Sequence, residues 1–521
     1  MWKLIMYASD SYTRDFHHLN DVVLWQDILQ FLQSRNQFVP WYPLFLTFFS
    51  SFSFVLINSF ILRVLLLRNK NYRHAFFLLV LSSVAFMPNL LWIHQNRTAF
   101  IMSGAGLLLS LYPHFFTYSS SFKKQLLSAF GVLWFFGGVC FRPEAGFASF
   151  ILFIPFYFFV TRQVSSLLRL SPHFILLVGF FLTYQWNIWF NPTFYYQLEP
   201  DVEYQIVDNR NVIPLSAMQN ARDSARYKAV ADEWMLADVK QTTPAFIKSL
   251  ICDKKTQSCR ADDGKSGSML NREFIRLIVW ENLFALFSIL LLFVISCRSR
   301  YIILFLLLFG FSFMAISFSV NIYLRVVQPM LFLICTFLII FLVRRKANIL
   351  CVGTRKALNV LIFSALFLFC LSFSKHYDQS VQMRVTQNQI RSRLKQVLQV
   401  HKDRRHIVIT GDFTPFNTGA FSDCTDFEGR KILITEFGQF SGNPAFLYFG
   451  AKQSGCDSVD FLCKMKYIEN IKGDVILFAS KRKLFFYNKY LRDVYGFTWG
   501  LTGTYHHLAD DSYAFLPDDD K

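Results

Sequence analysis

Ten apolar runs separated by short gaps constrain this chain more than any motif in it. They lie at about residues 41–67, 75–95, 99–118, 126–141, 146–161, 172–190, 279–297, 301–320, 326–343 and 359–374. A helix needs roughly 17 to 25 mostly apolar residues to cross a bilayer core, and several runs sit near the lower end of that range. No soluble core could absorb them all, because 53% of the 521 residues are hydrophobic and only 17% charged, with mean hydropathy +0.32. The expected fold class is a polytopic α-helical membrane protein of about ten spans, with an outer loop and a small extracytoplasmic C-terminal α/β domain.

The gaps carry the topology. Arg63, Arg68, Lys70 and Arg73 follow the first run, Lys123 and Lys124 the third, Arg162 and Arg169 the fifth, Arg298 and Arg300 the seventh, and Arg344, Arg345, Lys346, Arg355 and Lys356 the ninth. The alternate gaps, around Arg97, Arg142 and Arg325, hold one basic residue each. The positive-inside rule puts every basic gap in the cytoplasm. Residues 1–40 then form an outer amphipathic segment, 41–190 transmembrane helices, 191–278 an outer loop, 279–374 transmembrane helices, and 375–521 an extracytoplasmic α/β domain. A multi-pass protein of the plasma (inner) membrane with both termini outside is expected. The net charge of +18 would suggest nucleic acid in a soluble protein, but here it encodes orientation, so no nucleic-acid partner is expected. Nothing functional follows from the 62 phenylalanines, since any large apolar residue serves in a span.

The polar segments are equally informative. The first forty residues place Asp10, Arg14, Asp15, His17, His18 and Asp21 ahead of a run in which Val22, Trp25, Ile28, Leu29 and Leu32 share one helical face. Such a helix lies on a bilayer or packs on protein. No basic and apolar leader precedes it, so either it crosses unaided or an upstream span is missing. In the outer loop, Ala221 to Ile251 reads as two short helices divided by Thr242, Thr243 and Pro244, a cap-and-proline start signal. Cys252 and Cys259 follow and are expected to form a small disulfide, with zinc the rival reading. From about Tyr377 to Lys402 a polar amphipathic helix opens the tail. Strands are expected at 406–410, 432–435, 474–479, 498–505 and 513–516, with helices at 444–452, 459–466 and 482–495. That alternation gives an α/β layer. Cys424, Cys456 and Cys463 allow several pairings.

Charged residues beside spans are costly unless paired, which makes them candidates for function. Arg142, Pro143 and Glu144 interrupt a hydrophobic stretch on the expected outer side, where Arg142 pairs with Glu144 or holds an anionic headgroup; a plain turn would also account for them. Arg325, between Tyr323 and Gln328, suits a phosphate through a bidentate fork, or else snorkels to the interface. There is no H-E-x-x-H, no G-x-S-x-G elbow, and no glycine-rich phosphate loop. His17–His18 and His506–His507 read as surface pairs. The sequon at Asn96 is too near the membrane to be glycosylated.

Taken together, D-x-Y (Asp10, Ser11, Tyr12), a membrane-lying helix, Tyr42–Pro43 entering the next span, Arg142–Pro143–Glu144, Arg325 and an outer α/β tail resemble the GT-C superfamily. These membrane glycosyltransferases use polyprenyl-phosphate sugars and include protein mannosyltransferases and the lipid A aminoarabinose transferase. The resemblance implies transfer of a sugar from a lipid-linked donor to an extracytoplasmic glycan, lipid or protein. It assigns the acidic role, general base or acceptor binding, to Asp10, with Asp15 as substitute. It gives Arg325, with Arg142, the donor phosphate, and leaves Glu144, His17 and Tyr12 in support. No metal or other cofactor is required by this scheme, though Asp10 and Asp15 are a pair able to recruit one, and the partners are the lipid-linked donor and membrane lipid. The family has a span before its first outer loop, which this chain does not show ahead of Asp10. Alternative readings are a surface-polysaccharide polymerase, ligase or flippase, or a non-enzymatic transporter or scaffold. A transporter would place charges in mid-span.

Overall fold

The computed structural model describes residues 28, 31–32, 35, 41–69, 72–91, 95–116, 119–161, 170–190, 213, 215–231, 238, 240–250, 280, 282–296, 324–344, 355–409, 430–434, 454–457, 460–479, 481–500, 502–509 and 512–518. They fall into two compact units, one drawn from His18–Gln185 with Met269–Gln382, the other from Trp186–Ser268 with Met383–Lys521.

The first unit is a helix bundle. Its elements are α1 (Trp41–Asn69), α2 (Tyr72–Leu91), α3 (Gln95–Ser110), α4 (Ser121–Phe141), α5 (Pro143–Thr161) and α6 (Ser171–Phe190), followed along the chain, after two helices of the second unit, by α9 (Leu283–Ser296), α10 (Leu324–Arg344) and the first half of α11 (Arg355–Val400). Each expected apolar run coincides with a helix, except 301–320, which lies outside the described residues. Four stretches are long and apolar enough to cross a membrane: Leu44–Leu66, Ser121–Phe141, Val326–Val343 and Asn359–Gln379. Shorter apolar helices cover Glu144–Phe158, Ser171–Phe180 and Leu283–Leu292.

Burial explains why this unit belongs in lipid. Leu44, Phe48, Phe52 and Val55 recur at helical spacing along α1 and are exposed, as are Val360, Phe363, Phe367 and Leu371 along α11. Continuous exposed apolar stripes of that length are foreign to a water-soluble surface and natural against acyl chains. Residues 326–343 of α10, by contrast, are buried throughout, so α10 is the bundle's central helix. The closest packing joins α3 to α4. A Cβ on Gly106 would stand 2.5 Å from the Phe135 backbone nitrogen, and one on Gly131 would stand 2.8 Å from the Gly106 carbonyl oxygen. Small residues let membrane helices approach until backbones touch, where dispersion replaces the missing hydrophobic drive.

The helical register expected at the N-terminal side is visible in part, since Ile28, Phe31, Leu32 and Arg35 are helical, with the Arg35 guanidinium 5.3 Å from the Phe31 ring. α11 departs from expectation. The final span and the amphipathic helix after it are one 46-residue helix, because nothing between Asn359 and Val400 is a glycine or proline that would break it.

The second unit contains α7 (Ala221–Ala231) and α8 (Pro244–Ser249) from the outer loop, then β1 (His406–Ile409), β2 (Lys431–Ile434), α12 (Phe461–Asn470), β3 (Val475–Ala479), α13 (Lys481–Tyr495), β4 (Gly503–Ala509) and β5 (Ser512–Pro517). The order is β2-β1-β3-β5-β4, with β1 parallel to β2 and β3, and β5 antiparallel to β3 and β4. One face is covered by Leu394, Val397 and Leu398 of α11, the other by α12 and α13. The expected helix at 444–452 lies outside the described residues. The penultimate strand begins at Gly503 rather than near 498, because Trp499 is instead buried in the core, its backbone N–H donating to Asn488 Oδ1 at 2.9 Å.

Ala225 and Ala229 of α7 belong to the same apolar core as β3, α12 and α13. The loop and the tail therefore fold as one body, and two segments that share a core lie on the same side of any membrane. Cys456 and Cys463 form a disulfide, Cα atoms 5.9 Å apart, around Asp460, whose carboxylate caps α12 by accepting the Cys463 N–H at 2.9 Å. This resolves the pairing that spacing left open.

A candidate polar site at one end of the helix bundle

Cross-helix contacts fix the bundle's register. Phe45 and Phe49 of α1 meet Phe141 at the end of α4, ring centroids 6.2 and 5.8 Å apart. Ser50 and Thr98 share a hydrogen bond of 2.8 Å between α1 and α3. Arg97 Nη1 donates to the Pro88 carbonyl at 3.0 Å, tying the start of α3 to the end of α2. Phe86 lies 5.0 Å from Phe332, and Phe337 lies 5.7 and 4.6 Å from Phe153 and Phe156, so α10 runs alongside α5. One end of the bundle thus collects the starts of α1, α3, α5 and α10 and the ends of α2 and α4.

That end gathers buried polar groups. Asn89, Asn96, Arg97, Thr98 and Gln328 are all buried there. Both side-chain atoms of Asn89, and Oε1 of Gln328, have no hydrogen-bond partner among the described residues. At the opposite end Arg63, Arg73 and Lys123 are exposed, and further along the helices Ser82, Ser103, His173, Thr336 and Ser372 are also buried. An amide buried without partners costs on the order of 1–3 kcal/mol, so Asn89 and Gln328 call for an explanation beyond packing.

Arg142 and Glu144 stand at the α4–α5 junction. Arg142 is extended (φ −161°, ψ 104°), its N–H still closing onto the Gly138 carbonyl while its own carbonyl accepts from Ala145 and Gly146. A single residue therefore reverses the chain, with Pro143 opening α5, a position where its missing N–H costs nothing. Arg142 Nε lies 3.1 Å from Glu144 Oε2, with the side chains 23% and 40% exposed. Of the two expected roles for Arg142, the ion pair is present. Glu144, in the first turn of α5, is also favoured by the helix dipole.

The other expected site residues are placed in part or not at all. Arg325 lies in the first turn of α10, at the same end, with its side chain outside the described residues. Asp10, Tyr12, Asp15, His17, Cys252 and Cys259 lie outside the described residues entirely. Asn96 of the sequon is buried. Asn89 escaped that reading, although an asparagine after Pro88 in an apolar run was its available signal. No group of three or more potential ligands that could hold a metal occurs among the described residues.

The second unit buries a carboxylate of a different kind. Asp238 Oδ2 accepts from the Tyr490 and Tyr495 hydroxyls at 2.8 and 2.7 Å, and its carbonyl accepts from Gln241 and Thr242. Burial raises the Asp238 carboxyl above its ordinary value, partly opposed by the bonds from Tyr495, Tyr490 and Gln241. Nearby, burial pulls Lys464 down to about 8 against the attraction of Asp457, Asp460 and Asp238. Lys240 reaches Asp460 at 3.0 Å. These bonds clamp the loop to the α/β layer.

No family model matches the chain, and neither the curated proteins nor the solved structures compared with it yield a match.

Proposed function

We propose that this chain is a membrane glycosyltransferase that moves a sugar from a polyprenyl-phosphate donor to an extracytoplasmic acceptor. The observation that carries the reading is the group of buried amide and guanidinium side chains, Asn89, Asn96, Arg97 and Gln328, at the end of the bundle that also holds the Arg142–Glu144 pair. A lipid-linked sugar presents its phosphate at that depth, where guanidinium and amide groups meet it in low dielectric. In the reaction an acceptor hydroxyl attacks the anomeric carbon, the bond to the phosphate oxygen breaks, and the lipid phosphate leaves. Asp10, or Asp15, takes the hydroxyl proton, while Arg325 and Arg142 stabilise the charge on the leaving phosphate. Tyr12, His17 and Glu144 support these groups. The Cys456–Cys463 disulfide agrees with an oxidising, extracytoplasmic compartment for the α/β unit.

The test is transfer of labelled sugar from a polyprenyl phosphate in membranes carrying the protein, compared with membranes lacking it. Asp10→Ala is expected to abolish transfer at unchanged protein level. Arg325→Lys is expected to raise the KM for donor, since a point charge cannot reproduce a planar fork. Equal transfer in both membranes removes the reading; unchanged kinetics in both variants removes the residue roles.

A further inference from the structure

α13 has two faces of opposite character. Lys483, Leu484, Tyr487, Tyr490, Leu491 and Val494 are buried against the sheet. On the other side, at about 100° per residue, Lys481, Arg492, Phe485, Lys489 and Arg482 fall in that order within an arc of about 100°. All five are exposed, and Phe485, at the centre of the arc, is 75% exposed. Arg492 pairs with Asp493 at 3.2 Å, and Asp493, just beyond the edge of the arc, is the helix's one carboxylate. Lys481 extends the patch onto the sheet, its ammonium 5.1 and 4.8 Å from the rings of Tyr505 and Tyr513, of which Tyr505 is itself exposed.

A single exposed phenylalanine on a soluble surface needs no explanation, and a row of cations is ordinarily a solvated face. Their arrangement here is the informative part. One large apolar ring projects from the middle of four cations, with a tyrosine beside it. A helix that rests on an anionic bilayer has this pattern: the ring enters the acyl boundary, the long basic side chains reach phosphates, and tyrosine sits at headgroup level. The protein is itself embedded in a bilayer, so lipid is the partner always present.

We propose that the outer face of α13, centred on Phe485 with Lys481, Arg482, Lys489 and Arg492, is a docking surface for an anionic lipid bilayer. The inference is independent of the glycosyltransferase reading. It is tested on the full chain in lipid nanodiscs, with a spin label introduced at position 485 through a genetically encoded ketone residue. Access of oxygen relative to a water-soluble nickel chelate is the readout. With anionic lipid, oxygen access is expected to rise and nickel access to fall relative to zwitterionic discs. Charge reversal by Lys481→Glu and Lys489→Glu is expected to lower the docked-to-undocked ratio about fivefold or more per site. Nickel access that is equal in both kinds of disc overturns the proposal. So does protection that is equal in both, which would place the ring against protein.

Discussion

Asp238 of the α/β unit and Asn89 of the bundle are both fully buried, and they differ in their hydrogen bonds. Asp238 Oδ2 accepts from two tyrosine hydroxyls and its backbone carbonyl closes a turn through Gln241 and Thr242, while its Oδ1 has no partner among the described residues. At the polar end of the bundle, Asn89 is just as buried but has no hydrogen-bond partner among the described residues. A buried polar group with its bonds made is part of the scaffold, and its neighbours fold around it. One without them costs stability, and a bound water or ion, a binding or catalytic role, or strain accounts for such groups in native proteins.

The largest effect expected from breaking this contrast is at Asp238. Asp238→Ala removes the acceptor of two tyrosine hydroxyls, one of them fully buried, and is expected to cost about 3 kcal/mol in the stability of the α/β unit. Hydrogen exchange over residues 221–250 should report it as earlier opening of the loop. Asp238→Asn keeps an acceptor and is expected to lose far less. The pH dependence separates the two explanations. Since the folded-state value is raised above the ordinary 3.8, the folded form holds its proton more tightly than the unfolded chain. The contribution is therefore fully present below that ordinary value and lost as pH rises through the raised one. Asp238→Asn should flatten this slope, and a slope that survives in the variant would assign it to another group.

The clamp also shows where sequence reading stops. The two helices of the outer loop were legible, because Thr243 and Pro244 signal a start, and the Thr243 hydroxyl does accept the Phe246 N–H at 3.3 Å. The strands and their alternation with helices were legible from β-branched runs between turns. The joining of loop to tail was not. It depends on Asp238 meeting Tyr490 and Tyr495 across more than 250 positions, and nothing in local periodicity encodes so distant a bond. Likewise Arg142 and Glu144 stood out as charges in an apolar stretch, whereas Asn89 and Gln328 became conspicuous only once helix register gathered them at one end.

A smaller effect is expected where the bundle is held by shape alone. Gly106 and Gly131 let α3 and α4 touch, and a Cβ at Gly106 would meet Phe135 backbone at 2.5 Å. Backbone cannot swing aside as a flexible side chain can. Gly106→Val is expected to cost about 2 kcal/mol and to lower the thermal-aggregation temperature of the detergent-solubilised protein. The hydrogen-exchange pattern of residues 221–250 should be untouched, since that loop is held by its own clamp. Changes in both would show that the two units unfold together.

The smallest effect has the opposite sign and bears most directly on the contrast. If Asn89 were scaffold, Asn89→Leu would destabilise like any other core change. As an amide with no partner among the described residues, its replacement by an apolar side chain of similar size is expected to raise bundle stability by about 1 kcal/mol. Under the proposed function, sugar transfer should fall at the same time, the exchange of stability for function that strained or unsatisfied sites commonly make. Measured in one preparation, aggregation temperature and transfer rate should therefore move apart. A variant that loses both places Asn89 with Asp238 among the structural residues, and one that gains stability at full activity removes it from the site.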